Sequence, residues 1–210
     1  MEKLELKKQY KPFYSASAKK VAVVDVPPLQ FAMIEGQIPP HEKPGTSAQF
    51  AEDVGALYSA CYTLKFMVKK RETDPVDYPV MPLEGLWSAV SGQYDPGRDD
   101  TWLYTMMIMQ PGFITADLFA EAVARAQKKK PNPSLDQLRL TPFHEGLAIQ
   151  TMHLGPYATE PETVARMDAF AEAEGYALHG LHHELYLNDP LRTAPERLKT
   201  ILRHPVKVEG

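Results

Sequence analysis

A chain of 210 residues, 44% hydrophobic and 24% charged, has the size of one large domain or two small ones sharing a core, and the composition of an ordinary globular protein. Its net charge of −4 and pI near 6.0 leave no clustered excess of Lys and Arg to neutralise phosphates, which excludes a nucleic-acid partner and favours cationic ligands. Cys61, the single cysteine, excludes a disulfide framework and a thiolate metal site. With no signal-peptide pattern and no run near the ~18 apolar residues of a membrane span, the expectation is a cytoplasmic chain with no membrane contact.

Residues 1–19 are charged, then small and polar, and read as a lead-in that drapes over a domain spanning 20–210. Val21 to Ile38 is rich in β-branched and apolar residues and predicts a strand interrupted at Pro27-Pro28. Thr46 or Ser47 caps a helix to about Lys70, because Phe50, Val54, Leu57, Tyr58, Cys61, Leu64 and Val68 recur at three- and four-residue steps. Among these neighbours Cys61 reads as a buried, inert thiol. Val80–Val90 and Trp102–Met109 then form a hairpin about the turn Tyr94-Asp95-Pro96-Gly97.

Thr115 caps a second helix to Lys130, and the run Lys128-Lys129-Lys130 complements its C-terminal dipole. Leu138–Leu140 and Leu147–Tyr157 read as strands around a turn from Pro142 to Gly146. A helix follows over 159–173, stopped by Gly175, then a long strand from Tyr176 to Asn188 and a last one from Leu198 to Val208. The order strand, helix, strand, strand thus occurs twice, over about 20–112 and 138–210. An α+β fold of tandem βαββ repeats is expected, with pseudo-two-fold symmetry and two long helices packed behind an antiparallel sheet whose concave face forms a ligand cleft.

The stretch His182-His183-Glu184-Leu185-Tyr186 carries the clearest chemistry. Alternation puts His183 and Leu185 on one face, expected to meet the helices. His182, Glu184 and Tyr186 fall on the other, where a carboxylate between a phenol and an imidazole holds a cation or activates water. Spacing alone equally admits Glu184 as a strand residue balanced by Lys or Arg. His182 and His183, being adjacent, point apart and do not chelate one ion, so neither a metal nor a cofactor is expected.

In the corresponding place of the first half, Gly85 leaves room for close approach and Trp87 offers a stacking surface. Tyr104 and Met106 lie on the next strand, both faces of which are apolar. These residues read either as ordinary core or as the wall of a site for a planar, apolar or cationic ligand. Tyr157, at a strand-to-helix junction, is either turn geometry or the cleft mouth. No phosphate-binding loop, nucleophile elbow or dinucleotide fingerprint occurs.

Pro82-Leu83-Glu84-Gly85-Leu86-Trp87, His153-Leu154-Gly155-Pro156-Tyr157 with Glu160-Pro161, His182 to Leu187 with Asp189-Pro190, and Lys199 to Arg203 together resemble the stand-alone branch of the GyrI-like small-molecule-binding family, built on the SHS2 tandem repeat. The resemblance implies two βαββ repeats and a cleft accepting diverse aromatic or cationic compounds, with Glu184 at the place of the family's central ligand contact. Some stand-alone members hydrolyse the cyclopropane of DNA-alkylating natural products, a detoxifying reaction. By that likeness Glu184 is the general base on a water, Tyr186 or Tyr157 assists the developing phenolate, and Trp87 stacks on the ligand beside His182, Tyr104 and Met106. The alternatives are a non-catalytic multidrug sensor or sequestering module, and a regulator of a protein partner such as DNA gyrase.

Overall fold

A computed structural model describes residues 2–92 and 100–208; the turn expected at Tyr94-Asp95-Pro96-Gly97 lies outside them. In chain order the elements are β1 (Glu2–Lys3), α1 (Leu6–Gln9), β2 (Ala22–Val26), β3 (Leu29–Ile38), α2 (Ala48–Lys70), β4 (Val76–Asp77), β5 (Leu83–Ala89), β6 (Trp102–Gln110) and α3 (Ala116–Lys129). There follow β7 (Arg139–Phe143), β8 (Gly146–Leu154), α4 (Glu160–Ala173), β9 (Tyr176–Leu178), β10 (His182–Tyr186) and β11 (Lys199–Val208). The class is α+β, with a nine-stranded, antiparallel main sheet. Among the described residues no helix is long and apolar enough to cross a membrane.

Both expected caps form. Ser47 accepts from the Phe50 amide and Thr115 from that of Leu118, each satisfying one amide that the first turn leaves unpaired. Leu57, Cys61, Leu64 and Val68 of α2 join Ile34, Met106 and Ile108 in the main core, while α4 sets Met167 and Ala171 with Ile149, Leu202 and Val206 in a second. Ala56, Ala60 and Ala126 let α3 lie close against α2. Each fully buried aliphatic side chain stabilises the fold by roughly 1.5–3 kcal/mol.

The sheet runs β2-β8-β11-β10-β5-β6-β3-β7, and its two ends are covalent neighbours of each other's partners. Pro27-Pro28 separates β2 from β3, because a proline offers no amide to a ladder. The break sits opposite His144-Glu145, and one register continues across it, from Ala22↔Gln150 and Val26↔Gly146 to Leu29↔Phe143 and Met33↔Arg139. The sheet therefore curls back on itself, and β10 of the second unit meets β5 of the first at the seam.

Two expected boundaries move. Pro142 lies within β7, on the edge of the strand path, and the tight connection is His144-Glu145 alone. The long strand from Tyr176 to Asn188 is broken: β9 and β10 pair with different stretches of β11, and between them Gly180 takes φ +72. A positive φ is accessible to glycine without the clash a Cβ brings.

The first residues are tied down. The Leu4 amide donates to the Asp77 carbonyl, Gln150 donates to the Pro12 carbonyl, and Arg203 donates to that of Phe13. The Met152 amide donates to the Ser17 carbonyl. Residues 10–17 thus form a strap across the inner side of the curled sheet.

Candidate functional site at the seam of the two repeats

Directly paired residues of antiparallel strands share a face. At the seam Trp87 pairs with His182, Gly85 with Glu184 and Leu83 with Tyr186, while on β6 Tyr104 stands opposite Trp87 and Met106 opposite Gly85. One face thereby collects Trp87, His182, Glu184, Tyr186, Tyr104 and Met106. Only the register of β5 on β10, 99 residues apart, brings these together.

The helices flank this face, not the one carrying His183 and Leu185 as expected. Phe50 of α2 lies 5.9 Å from the Trp87 ring and 5.0 Å from that of Tyr104, centroid to centroid. On the α4 side the Tyr157 ring meets Tyr186 edge-on at 6.0 Å. The reason is what the opposite face holds. His183 sits there with Nδ1 2.8 Å from Glu145 and Nε2 3.1 Å from Glu84, while Arg203 pairs with Glu145 at 2.9 Å and Tyr14 donates to Glu84 at 2.5 Å. A charged cluster this dense is stable only when its members satisfy one another, so it fills the inner side of the curled sheet beneath the strap.

That inner cluster is held charged. Burial opposes the His183 cation, yet Glu145 and Glu84 carry it up to about 9; burial likewise opposes the Glu145 anion, and His183 with Arg203 holds it down to about 2. These residues join β5, β10, β11 and the β7–β8 connection, and so brace the seam from behind the site.

On the site face the Trp87 indole N–H donates to the Tyr186 hydroxyl at 2.8 Å, and that hydroxyl also hydrogen-bonds Glu184. His182 Nε2 is 3.5 Å from Glu184 Oε1, and its ring lies 6.1 Å from that of His204. Burial, followed by the Glu184 charge, pushes the Tyr186 phenol well above its ordinary range. Gly85 is the floor: a Cβ there would lie 2.7 Å from Trp87 Nε1, 3.1 Å from Met106 Sδ and 3.2 Å from the Tyr186 hydroxyl. The glycine permits the rings to close over the strand.

The expected site residues differ in exposure. Glu184 and Trp87 are each 7% exposed and His182 3%, so the Glu184 carboxyl is covered by its neighbours. Tyr157, by contrast, is 38% exposed. Met106 is fully buried under Gly85, and Tyr104 is fastened to α2 by a 2.6 Å hydrogen bond to Asp53. Both are wall residues. A cavity of about 860 Å³ lies elsewhere, between α2 and α3, and touches none of these groups.

Two neighbours were missed as site residues. Phe50 was read only as a core position of its helix. Glu160, the first residue of α4, is 3% exposed, and burial followed by the Glu184 charge pushes it up to about 10. Its signal was its place three residues after Tyr157, which puts both on one side of the turn entering α4.

The sequence from 19 to 207 matches the model of the GyrI-like small molecule binding domain. The chain is 36% identical to an uncharacterized conserved protein from Listeria innocua, over 99% of this chain and all of that one, with a TM-score of 0.87. It is 35% identical to a hydrolase from Listeria innocua (99% and all; TM-score 0.82) and 36% to the hydrolase encoded by lin2189 of that organism (98% and all; TM-score 0.85). No curated protein matches. With the model match spanning nearly the whole chain, and the doubled strand-helix-strand-strand order beneath it, this protein belongs to the GyrI-like small-molecule-binding domain family.

Proposed function

We propose that the protein takes a flat aromatic or cationic small molecule against Trp87 and Glu184 and opens its cyclopropane ring by hydrolysis, as a detoxifying enzyme. The observation that carries this reading is the buried chain Trp87 N–H, Tyr186 hydroxyl, Glu184 carboxyl at the seam. A carboxylate whose neighbour is oriented by a second donor is an aimed general base. The two similar Listeria innocua hydrolases support the reaction class.

In the step proposed, Glu184 takes a proton from water as the water oxygen bonds to the cyclopropane CH2. The ring C–C bond breaks, and its electron pair passes through the conjugated system to a carbonyl oxygen, which becomes a phenolate. Tyr157, at the mouth with its phenol pushed up to about 12 by burial and then by Glu184, Glu160 and Asp189, stays protonated and hydrogen-bonds that oxygen. Ring strain supplies much of the driving force, and the carboxylate a further factor of about 10²–10⁴.

The test is incubation of the purified protein with a cyclopropane-bearing DNA alkylator, following ring-opened product by mass spectrometry beside Glu184→Gln. Product that disappears in the variant supports the hydrolase. No product from either protein, with a flat cationic dye still bound, leaves a sequestering or sensing module instead.

A further inference from the structure

Glu160 poses a question the hydrolase reading leaves open. It is 3% exposed and its Oε1 finds no hydrogen-bond partner among the described residues. Buried polar atoms are almost always paired, so an orphan oxygen beside a candidate site calls for an explanation. The chain enters α4 through Tyr157–Thr159, and the Tyr157 ring rests on Tyr186, so the turn that positions the mouth also carries this carboxyl inward.

Glu184, Tyr186 and Tyr157 interact with it, and further titratable groups lie along the strands and helix that carry them. From β10 come Glu184, Tyr186 and His182, and from beyond β10 Asp189, which acts on Tyr157. His153 of β8 hydrogen-bonds Thr163 in the first turns of α4 at 2.9 Å. Asp168 of α4 and His204 of β11 both interact with His182. An isolated charge buried beside a second carboxyl is costly, and two adjacent carboxyls do not both ionise readily. Burial and the Glu184 charge accordingly act on Glu160 in the same direction, toward the protonated form. A buried carboxyl kept protonated beside the proposed base is placed to act as the acid of the pair.

We propose that Glu160 is a second catalytic carboxyl, the neutral proton donor that works opposite Glu184. The inference rests on the reading of Glu184 as the base. Glu184 receives a proton from the attacking water, the cyclopropane C–C bond breaks, and the oxygen that gains the electron pair takes the proton from the Glu160 O–H. Glu184 then holds one proton more and Glu160 one fewer, and transfer between the two resets the site. The sum is substrate plus water giving the ring-opened alcohol.

The experiment compares the unaltered protein with Glu160→Gln, Glu160→Asp and Glu184→Gln. It measures kcat and KM for ring opening of a cyclopropane-bearing DNA alkylator from about pH 6 to about pH 10, and ethidium affinity in parallel, with rates compared against the ~10²–10⁴-fold effect of a positioned acid. Glu160→Gln is the same size, neutral, and removes only the transferable proton. It should lower kcat by about 10²-fold or more, with KM and ethidium affinity little changed, and should lack the decline in rate that the unaltered protein shows as the pH nears about 10. Glu160→Asp, which keeps a carboxyl, should recover part of the rate. Glu160→Gln turning over like the unaltered protein, while Glu184→Gln is inert, overturns the role of Glu160 and leaves that of Glu184 standing. Equal rates for the unaltered protein and Glu184→Gln, or no turnover by any of them, overturn the Glu184 reading and this inference with it.

Discussion

The indole of Trp87 and the phenol of Tyr186, 99 residues apart in the chain, share a 2.8 Å hydrogen bond across the seam where the two repeats meet. Tyr186→Phe leaves that buried N–H without an acceptor, a cost of about 1–3 kcal/mol. Urea unfolding should show this loss. In a double-mutant cycle with Trp87→Phe, the two losses should fall short of additive by about 0.5 kcal/mol or more, as they do for residues in direct contact. Additive losses would mean that the bond contributes nothing.

Gly85→Ala tests whether the floor of the site must be bare. The new methyl would press on Trp87, Met106 and Tyr186 together. Since the rings that would have to yield are those proposed to grip the ligand, affinity for ethidium should fall by about tenfold, or ~1.4 kcal/mol. Quenching of tryptophan fluorescence in a Trp102→Phe background, which leaves Trp87 as the only indole, reads this directly. Unchanged affinity would place the ligand elsewhere.

The inner ion cluster sets a pH window for stability. His183, held up to about 9, contributes fully below its ordinary ~6.5, and the contribution is lost as pH rises through 9. Glu145, held down to about 2, contributes above its ordinary ~4.5 and is lost as pH falls through 2. Stability from the cluster should therefore be greatest between about pH 4.5 and pH 6.5 and fall on both sides, visible as a shift of the urea midpoint. Arg203→Met, which leaves Glu145 without its guanidinium, should cost about 3–5 kcal/mol.

Glu160 should behave in the opposite sense. A carboxyl held protonated up to about 10 lowers stability progressively as pH rises above its ordinary ~4.5. Glu160→Gln removes that penalty, so the variant should match the unaltered protein near about pH 4 and exceed it increasingly toward about pH 9. Thermal unfolding at those two values is the check, and a constant difference would show that the carboxyl does not titrate in this way.

Much of the fold is legible in the residues. Three- and four-residue steps from Phe50 to Val68 mark α2, Ser47 and Thr115 mark where helices begin, and the doubled order of elements marks the repeat. The alternation of His182, Glu184 and Tyr186 against His183 and Leu185 is legible for the same reason: these are consequences of backbone geometry within one segment. The gap at Gly180 was not, because a glycine in a strand pattern is equally a bulge, a bend or a close approach.

Alternation divides a strand into two faces without saying which one meets the helices. That was decided by residues far away in the chain. Arg203, Glu145, Glu84 and Tyr14 satisfy one another around His183 only when the sheet curls and the strap closes over it, which leaves the Glu184 face to α2 and α4. Phe50 and Glu160 join the site on the same terms, since a side chain's neighbours across a sheet or from a helix depend on register and packing, not on spacing along the chain. The sequence by itself determined the elements, their order and the kinds of side chain on each face. Only the tertiary structure decided which face became the site and which carboxyl came to stand beside Glu184, because burial and charge pairing act through space between segments that local geometry does not connect.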